Sequence, residues 1–376
     1  MFYYLHELGD QIFGFSVFRY AEFRAPMAAV FAFFVAVLFG RWFIFFQRRH
    51  AAFERTEKGD SERLTTLHRH KGTTPTMGGV ILLLAVVVST LLWAQPGNRL
   101  VHLLLVFTLA CGMLGFIDDL IKLKSRRKGL EARTKLFCQI LLAGGAGWYL
   151  YAFPIDVEYA FGSGELGTTL FFPFFKHWYV PLGIFYVGLV VVVTTGTSNA
   201  VNLTDGLDGL AVGCSILVGV TLVLLSFLAG YEHASSFLEI PHVVGSVEVA
   251  VFGAAIVGGG LGFLWFNCHP AQIFMGDTGA LALGGALGLM AVICKQEILL
   301  ILVGGVLVVE VVSVVLQVLS FKLRGKRVFL IAPLHHHFQF KGWNETKVTV
   351  RFWIAAAIFA LVSLLTLKIR LPSDTW

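Results

Sequence analysis

Five short polar stretches interrupt an otherwise apolar chain of 376 residues, and their side chains suit phosphate, metal or proton chemistry. Asp118 and Asp119 are adjacent and follow Gly115-Phe116-Ile117 at the end of an apolar run. Two neighbouring carboxylates at a membrane edge are costly unless paired, solvated or bound to metal. Such a pair can hold Mg²⁺ through water or take a proton from an attacking group. A solvated helix end complemented by Lys122 and Lys124 accounts for the same residues. Asp277 lies between Gly276 and Thr278-Gly279 and opens a helical pattern. It suits an N-cap, or a direct Mg²⁺ ligand beside substrate phosphates.

The other three stretches are dense in amides, acids, glycines and histidines. Residues 199–209 hold Asn199, Asn202, Asp205, Gly206, Leu207, Asp208 and Gly209. Glycine lets the backbone approach a ligand, and the amides and carboxylates can read hydroxyls and a base. Capping of the following helix explains one of the two acids but not both. The stretch ending in Asp277 also offers Asn267 and Phe274, the latter a ring that suits stacking on a base or anchoring at the membrane edge. His335, His336 and His337 follow Ala332-Pro333-Leu334. Consecutive histidines suit proton transfer, phosphate contact or a transition metal, but the other polar groups are hard oxygen donors that disfavour zinc. Residues 68–79 place Lys71 before Gly72 and Pro75, and its flexible ammonium suits a phosphate. Glu310 sits inside an apolar run, where it is either functional or hydrogen-bonded to Ser313 or Gln317. P-loop, nucleophile-elbow and HExxH patterns do not occur.

These stretches must be positioned by membrane helices. The chain is 57% hydrophobic and 14% charged, with mean hydropathy +0.77, far more apolar than a soluble domain. Ten candidate spans fall near 23–46, 76–94, 100–117, 134–152, 178–196, 209–229, 247–266, 279–294, 298–321 and 349–371. They predict an all-α polytopic membrane protein of about ten transmembrane helices, forming a single domain over 1–376. Loops 47–75 and 118–135 each carry seven Lys/Arg, and loop 322–348 carries six. The opposite loops carry only Arg99, Lys176 and Lys295. The positive-inside rule puts the basic loops, and with them all five stretches, in the cytoplasm. Both termini are then expected outside, on the periplasmic side. The net charge of +6 therefore reflects topology and lipid contact rather than nucleic acid. The five cysteines are scattered without a CxxC pair, so neither a disulfide framework nor a zinc site is expected. The aromatic N-terminus does not read as a cleaved signal peptide.

Together these motifs, in this order over nearly the whole chain, resemble the polyprenyl-phosphate N-acetylhexosamine-1-phosphate transferases. Ala332-Pro333-Leu334-His335-His336-His337, with Gly342-Trp343 and Glu345 downstream, resembles the branch that handles N-acetylmuramoyl-pentapeptide. The resemblance implies an Mg²⁺-dependent transfer of phospho-N-acetylmuramoyl-pentapeptide from UDP to undecaprenyl phosphate, giving lipid I and UMP. That is the first membrane step of peptidoglycan synthesis, in the cell inner membrane, usually by a homodimer. It further implies Asp277 as metal ligand, and Asp118 and Asp119 at the lipid phosphate as base or metal support. Lys71 would neutralise phosphate charge, and Asn202 and His335 would sit at the phosphates. Asp205, Gly206, Leu207 and Asp208, with Asn267 and Phe274, would line the uridine pocket, and His336 and His337 would complete the substrate site. The rival reading, an ion-coupled transporter, requires acids deep in several spans. Only Glu310 meets that requirement.

Overall fold

The structure is a computed structural model that describes residues 1–9, 14–49, 74–124, 129–162, 164–175 and 177–368. Lys71 and the first half of its motif lie outside the described residues. Helix α1 (Ala21–Arg49) precedes α2 (Gly79–Trp93), α3 (Arg99–Lys124) and α4 (Ala132–Ala152). Next come α5 (Phe185–Thr204), α6 (Leu210–Gly230), the short α7 (Glu232–Leu238), α8 (Ser246–Asn267) and α9 (Gly276–Ile293). The remainder holds α10 (Leu299–Val303), α11 (Gly305–Arg324), the short α12 (Leu334–Phe340) and α13 (Glu345–Thr366). Two small antiparallel ribbons lie in the connections. Val157–Glu158 pairs with His242–Val243, and Thr169–Phe171 pairs with Tyr179–Pro181.

Every one of the ten expected spans meets a helix, but not all are equivalent. Among the described residues, eight helices are long and apolar enough to cross a bilayer. Helix α2 has 15 residues, which at ~1.5 Å per residue reaches about 22 Å. That falls short of a hydrocarbon core of ~30 Å. Helix α4 has the length, but its first turns carry Arg133, Lys135 and Gln139. The ninth expected span is divided at Gly304 into α10 and α11.

Lipid supplies no hydrophobic drive for helices to associate, so close packing must come from small side chains. Helix α9 shows this most fully. Its sequence GDTGALALGGALGLMAVI alternates small and large residues, and 89% of its apolar window is buried. It packs against α3 and α5 on two sides and against α2 on a third. Some hydroxyls inside the spans are satisfied by their own helix. Thr194, Thr197 and Thr204 each donate to the carbonyl four residues back.

The crossing of α2 and α9 fixes the site end of the bundle. A Cβ on Gly79 would lie 2.1 Å from the backbone nitrogen of Gly279. Backbone sits against backbone there, so no rotamer change relieves an added methyl. The crossing is reinforced by backbone hydrogen bonds. Gly78 N–H and Gly79 N–H donate to the carbonyls of Phe274 and Met275 at 2.8 and 2.9 Å. At the far end, buried Arg24 of α1 pairs with Glu248 of α8 and donates to the Trp93 carbonyl at 3.0 Å. Gln95 N–H donates to the same carboxylate at 2.8 Å, tying the α2–α3 turn to the pair. Gly79→Val is therefore expected to lower the detergent melting temperature clearly, an overpacking cost of about 1–3 kcal/mol. Gly145→Val, on α4 with nothing within 4 Å of its Cβ position, should leave the melting curve nearly unchanged.

Candidate active site

Three carboxylates from two helix ends meet at one point. Asp118 and Asp119 lie in the next-to-last turn of α3, and Asp277 lies in the first turn of α9. One oxygen from each can be chosen so that all lie within 4.8 Å of one another. The approach is possible because Gly115, one turn before Asp119, rests on the Asp277 carbonyl; a Cβ there would come within 2.2 Å of that oxygen. Gly276 is required as well. Its φ of +71° is open to glycine, and a Cβ would meet the Asp119 carboxylate at 2.7 Å.

The three acids do different things. Asp119 is spent on the start of α9. Its Oδ1 accepts from Asp277 N–H at 3.2 Å, and its Oδ2 accepts from Thr278 N–H at 2.9 Å and Thr278 Oγ1 at 2.7 Å. It caps from another helix, meeting the helix's open donors and its positive end. Asp277 is therefore not an N-cap; its carboxylate is left for other partners. Asp118 accepts Leu130 N–H at 2.5 Å through Oδ1. Its Oδ2 faces two ammonium groups, Lys122 at 2.8 Å and Lys135 at 3.0 Å. Both lysines also reach Asp277 Oδ2, Lys122 at 2.8 Å. Asn202 Nδ2 donates to the other oxygen of Asp277 at 2.7 Å. Two lysines thus hold three carboxylates together, with Asp118 and Asp119 almost fully buried.

The Asn202 helix end leads into a turn that the remaining motifs clasp. Asp208 N–H donates to Glu345 at 2.7 Å, and the Asp208 carboxylate accepts from Ala271 N–H at 3.1 Å and contacts His269 Nδ1 at 2.9 Å. Gly209 N–H donates to Asn267 Oδ1 at 3.1 Å, while Asn267 Nδ2 donates to the Ile273 carbonyl at 2.9 Å. The Phe274 ring is half-buried, and its backbone N–H donates to Pro75 at 2.9 Å. Asp205 and Gly206 are half-buried in the turn, and Leu207 is buried beneath it.

The three histidines diverge, as adjacent helical residues must. His335 is buried, and its backbone N–H and Nδ1 both meet the carboxylate of Glu310 at 3.1 Å. His336 Nδ1 meets Gln339 Oε1 at 2.8 Å. His337 Nδ1 accepts from Leu330 N–H at 3.1 Å, which closes the preceding loop. Partial burial, with Lys341 nearby, holds the His337 imidazole below the usual histidine value. Gly206 touches the histidine group directly. A Cβ there would lie 2.3 Å from His335 Nε2 and 3.2 Å from His336 Nε2.

All five stretches are thus joined by contacts, with Lys71 alone among the expected site residues outside the described part. Two site residues carried little sequence signal. Lys122 lies three and four residues after the paired aspartates, on their helix face, and that spacing marked it only as a partner. Lys135 lay unremarked among the basic residues of its loop. The Glu310 carboxylate bonds to neither side chain expected for it. Ser313 donates to its backbone carbonyl, and Gln317 binds the backbone at Val328 and Phe329.

Comparison with known proteins agrees with this geometry. The model of glycosyl transferase family 4 matches residues 101–295, which include both aspartate groups. A protein of Citrifermentans bemidjiense named phospho-N-acetylmuramoyl-pentapeptide-transferase is 46% identical over 376 residues, covering 98% of this chain and all of the relative. Proteins of the same name from Pelobacter propionicus and Desulforapulum autotrophicum are each 45% identical, over 375 and 372 residues, again covering 98% of this chain and all of each relative. At that identity over full length, the chain belongs to the phospho-N-acetylmuramoyl-pentapeptide-transferase family, within glycosyl transferase family 4.

Proposed function

We propose that this multi-pass membrane protein transfers phospho-N-acetylmuramoyl-pentapeptide from UDP to undecaprenyl phosphate, giving lipid I and UMP. The observation that carries the reading is the cluster of Asp118, Asp119 and Asp277 with Lys122 and Lys135 where two membrane helices end. Phosphoryl transfer needs charge neutralisation and in-line placement more than covalent help. In the proposed step, an oxygen of the lipid phosphate attacks the β-phosphorus of the donor. The bond from that phosphorus to the bridging oxygen breaks, and UMP leaves with the oxygen.

The donor set suits Mg²⁺. It consists of the hard carboxylate oxygens of Asp118, Asp119 and Asp277. Asp277 would be the direct ligand, with Asp118 in support. The ion would supply positive charge at the phosphate oxygens. Asp119 is less suited to either task, because its oxygens already meet the start of α9. Asp118 is accordingly favoured as the group that takes any proton from the lipid phosphate. Lys122 and Lys135 release to incoming phosphate the charge they now place on carboxylates, a task the sequence reading gave to Lys71. The turn from Asp205 to Asp208, with Phe274 at its rim, remains the proposed uridine pocket. Asn267 supports it from below, and His336 and His337 complete the substrate site.

Three further expectations belong to the proposal. The whole chain acts as one unit, in the cell inner membrane, as a homodimer. The basic loops put the site in the cytoplasm and both termini outside. A site at the membrane edge lets a lipid arrive from the bilayer and a nucleotide from water.

Purified protein in detergent, given both substrates and Mg²⁺, should release UMP. Release should stop with EDTA or without lipid, and Asp277→Asn should lower it at least a hundredfold. Activity with UDP-N-acetylglucosamine in place of the muramoyl donor would move the protein to another transfer reaction on the same scaffold. Lys135→Met should cut kcat about a hundredfold to a thousandfold, the range for losing one charge-stabilising donor. A wild-type rate in that variant would show that Lys135 serves only to hold the carboxylates together.

A further inference from the structure

Glu310 is an acidic side chain in α11 with no solvent exposure. Its carboxylate meets one residue twice. Oε1 accepts from the His335 backbone N–H and Oε2 faces His335 Nδ1, both at 3.1 Å. Intramembrane carboxylates are retained where they hold a partner in place. An ionised carboxylate only accepts, so Nδ1 must carry the hydrogen in either protonation state of the ring. The ring is then fixed in one tautomer and one orientation, with Nε2 on its opposite side.

That opposite side is where the site begins. Nε2 is buried with no partner among the described residues, and Gly206 lies directly against it. A Cβ on Gly206 would fall 2.3 Å from the nitrogen, so the turn has no slack. The same helix end carries Asn202, which donates to Asp277 at 2.7 Å. A continuous chain of contact therefore runs from Glu310 through His335 and Gly206 to Asn202 and Asp277.

The geometry points to Glu310 as a positioning residue for the transfer, seating the His335 ring under the Asn202–Gly206 turn and so holding Asp277 in place. The inference rests on the transferase reading above. It also yields a specific chemical expectation. Both groups facing Glu310 are donors, and a carboxylate accepts from both. A carboxamide can accept from only one. It leaves the other donor against an N–H, or it forces the ring to the other tautomer with a hydrogen pressed toward Gly206.

The test uses UMP release by the full-length protein, with melting temperature recorded for every variant. Glu310→Gln is expected to lower kcat at least tenfold while KM for the UDP donor stays within about threefold. Added to His335→Ala, it should cause no further loss, because Glu310 acts through that ring. Wild-type kcat in Glu310→Gln, or losses that multiply in the double variant, would overturn the inference. Should Glu310→Gln not be recovered folded, His335→Asn replaces it. Asparagine keeps an N–H for Glu310 but removes the Nε2 side of the ring, so the same kcat loss is expected and a wild-type kcat would overturn the inference. A wild type that releases no UMP would instead overturn the transferase reading, and the inference with it.

Discussion

Three carboxyl groups, one oxygen of each within 4.8 Å of the others, impose the main constraint on this structure. At an effective dielectric of about 20, two ionised groups at that distance repel by about 3.5 kcal/mol. Water cannot screen Asp118 and Asp119, which are almost fully buried. Counter-charge has to be built in. Lys122 arrives on the same helix as the paired aspartates, and Lys135 arrives from the next. The open N–H groups at the start of α9 supply the rest, through Asp119. The packing of α3 against α9 and the electrostatics of the site are thus one arrangement. The glycine at position 115 brings the helices close enough, and the carboxylate of Asp119 then holds them.

The membrane setting explains why α9 lies at the centre. A helix that touches three others at close range must be narrow, and its glycines and alanines make it so. Its N-terminus then emerges at the meeting point of α2, α3 and α5. A helix on the rim could not offer its first turn to the aspartates of one neighbour and the asparagine of another. Burial of α9 is therefore as much a condition for the site as for the bundle.

Much of this was legible in the sequence because membrane chemistry leaves strong marks. Apolar runs of nearly bilayer length announced the helices, and the acids at their ends marked candidate metal or proton sites, though a solvated helix end or a cap accounted for them equally. The five stretches were read as one site from their shared side, and the contacts join them. Other features depend on tertiary contact that no spacing encodes. Asp119 and Asp118 are adjacent and alike, yet one caps a distant helix and the other faces two lysines. Lys135 resembled every other basic loop residue. Glu310 was read as either functional or bonded within its own span, where Ser313 and Gln317 lie at helical spacing. Its partner is 25 residues away, on a short helix that returns to the bundle. The short α2 and the break at Gly304 were hidden for a related reason: hydropathy reports how apolar a stretch is, not where its helix stops.

Hydrogen-bond accounting separates the residues that build the site from those free to act in it. Asn267 spends its oxygen and its amide on backbone groups, and Asp119 meets the backbone through both oxygens. Drawing either toward a substrate would strand buried backbone donors, at about 1–3 kcal/mol each. The partners of Asp118 and Asp277 are mainly lysine ammonium groups on flexible stems. An ammonium that turns from a carboxylate to a phosphate exchanges one charged acceptor for another and leaves nothing unpaired. On the proposed assignment, the site takes up an anionic substrate by rearranging two lysines, while the backbone that locates the aspartates stays fixed. The fixed part is the helix junction sealed by Asp119, and the adjustable part is the pair of cations above it.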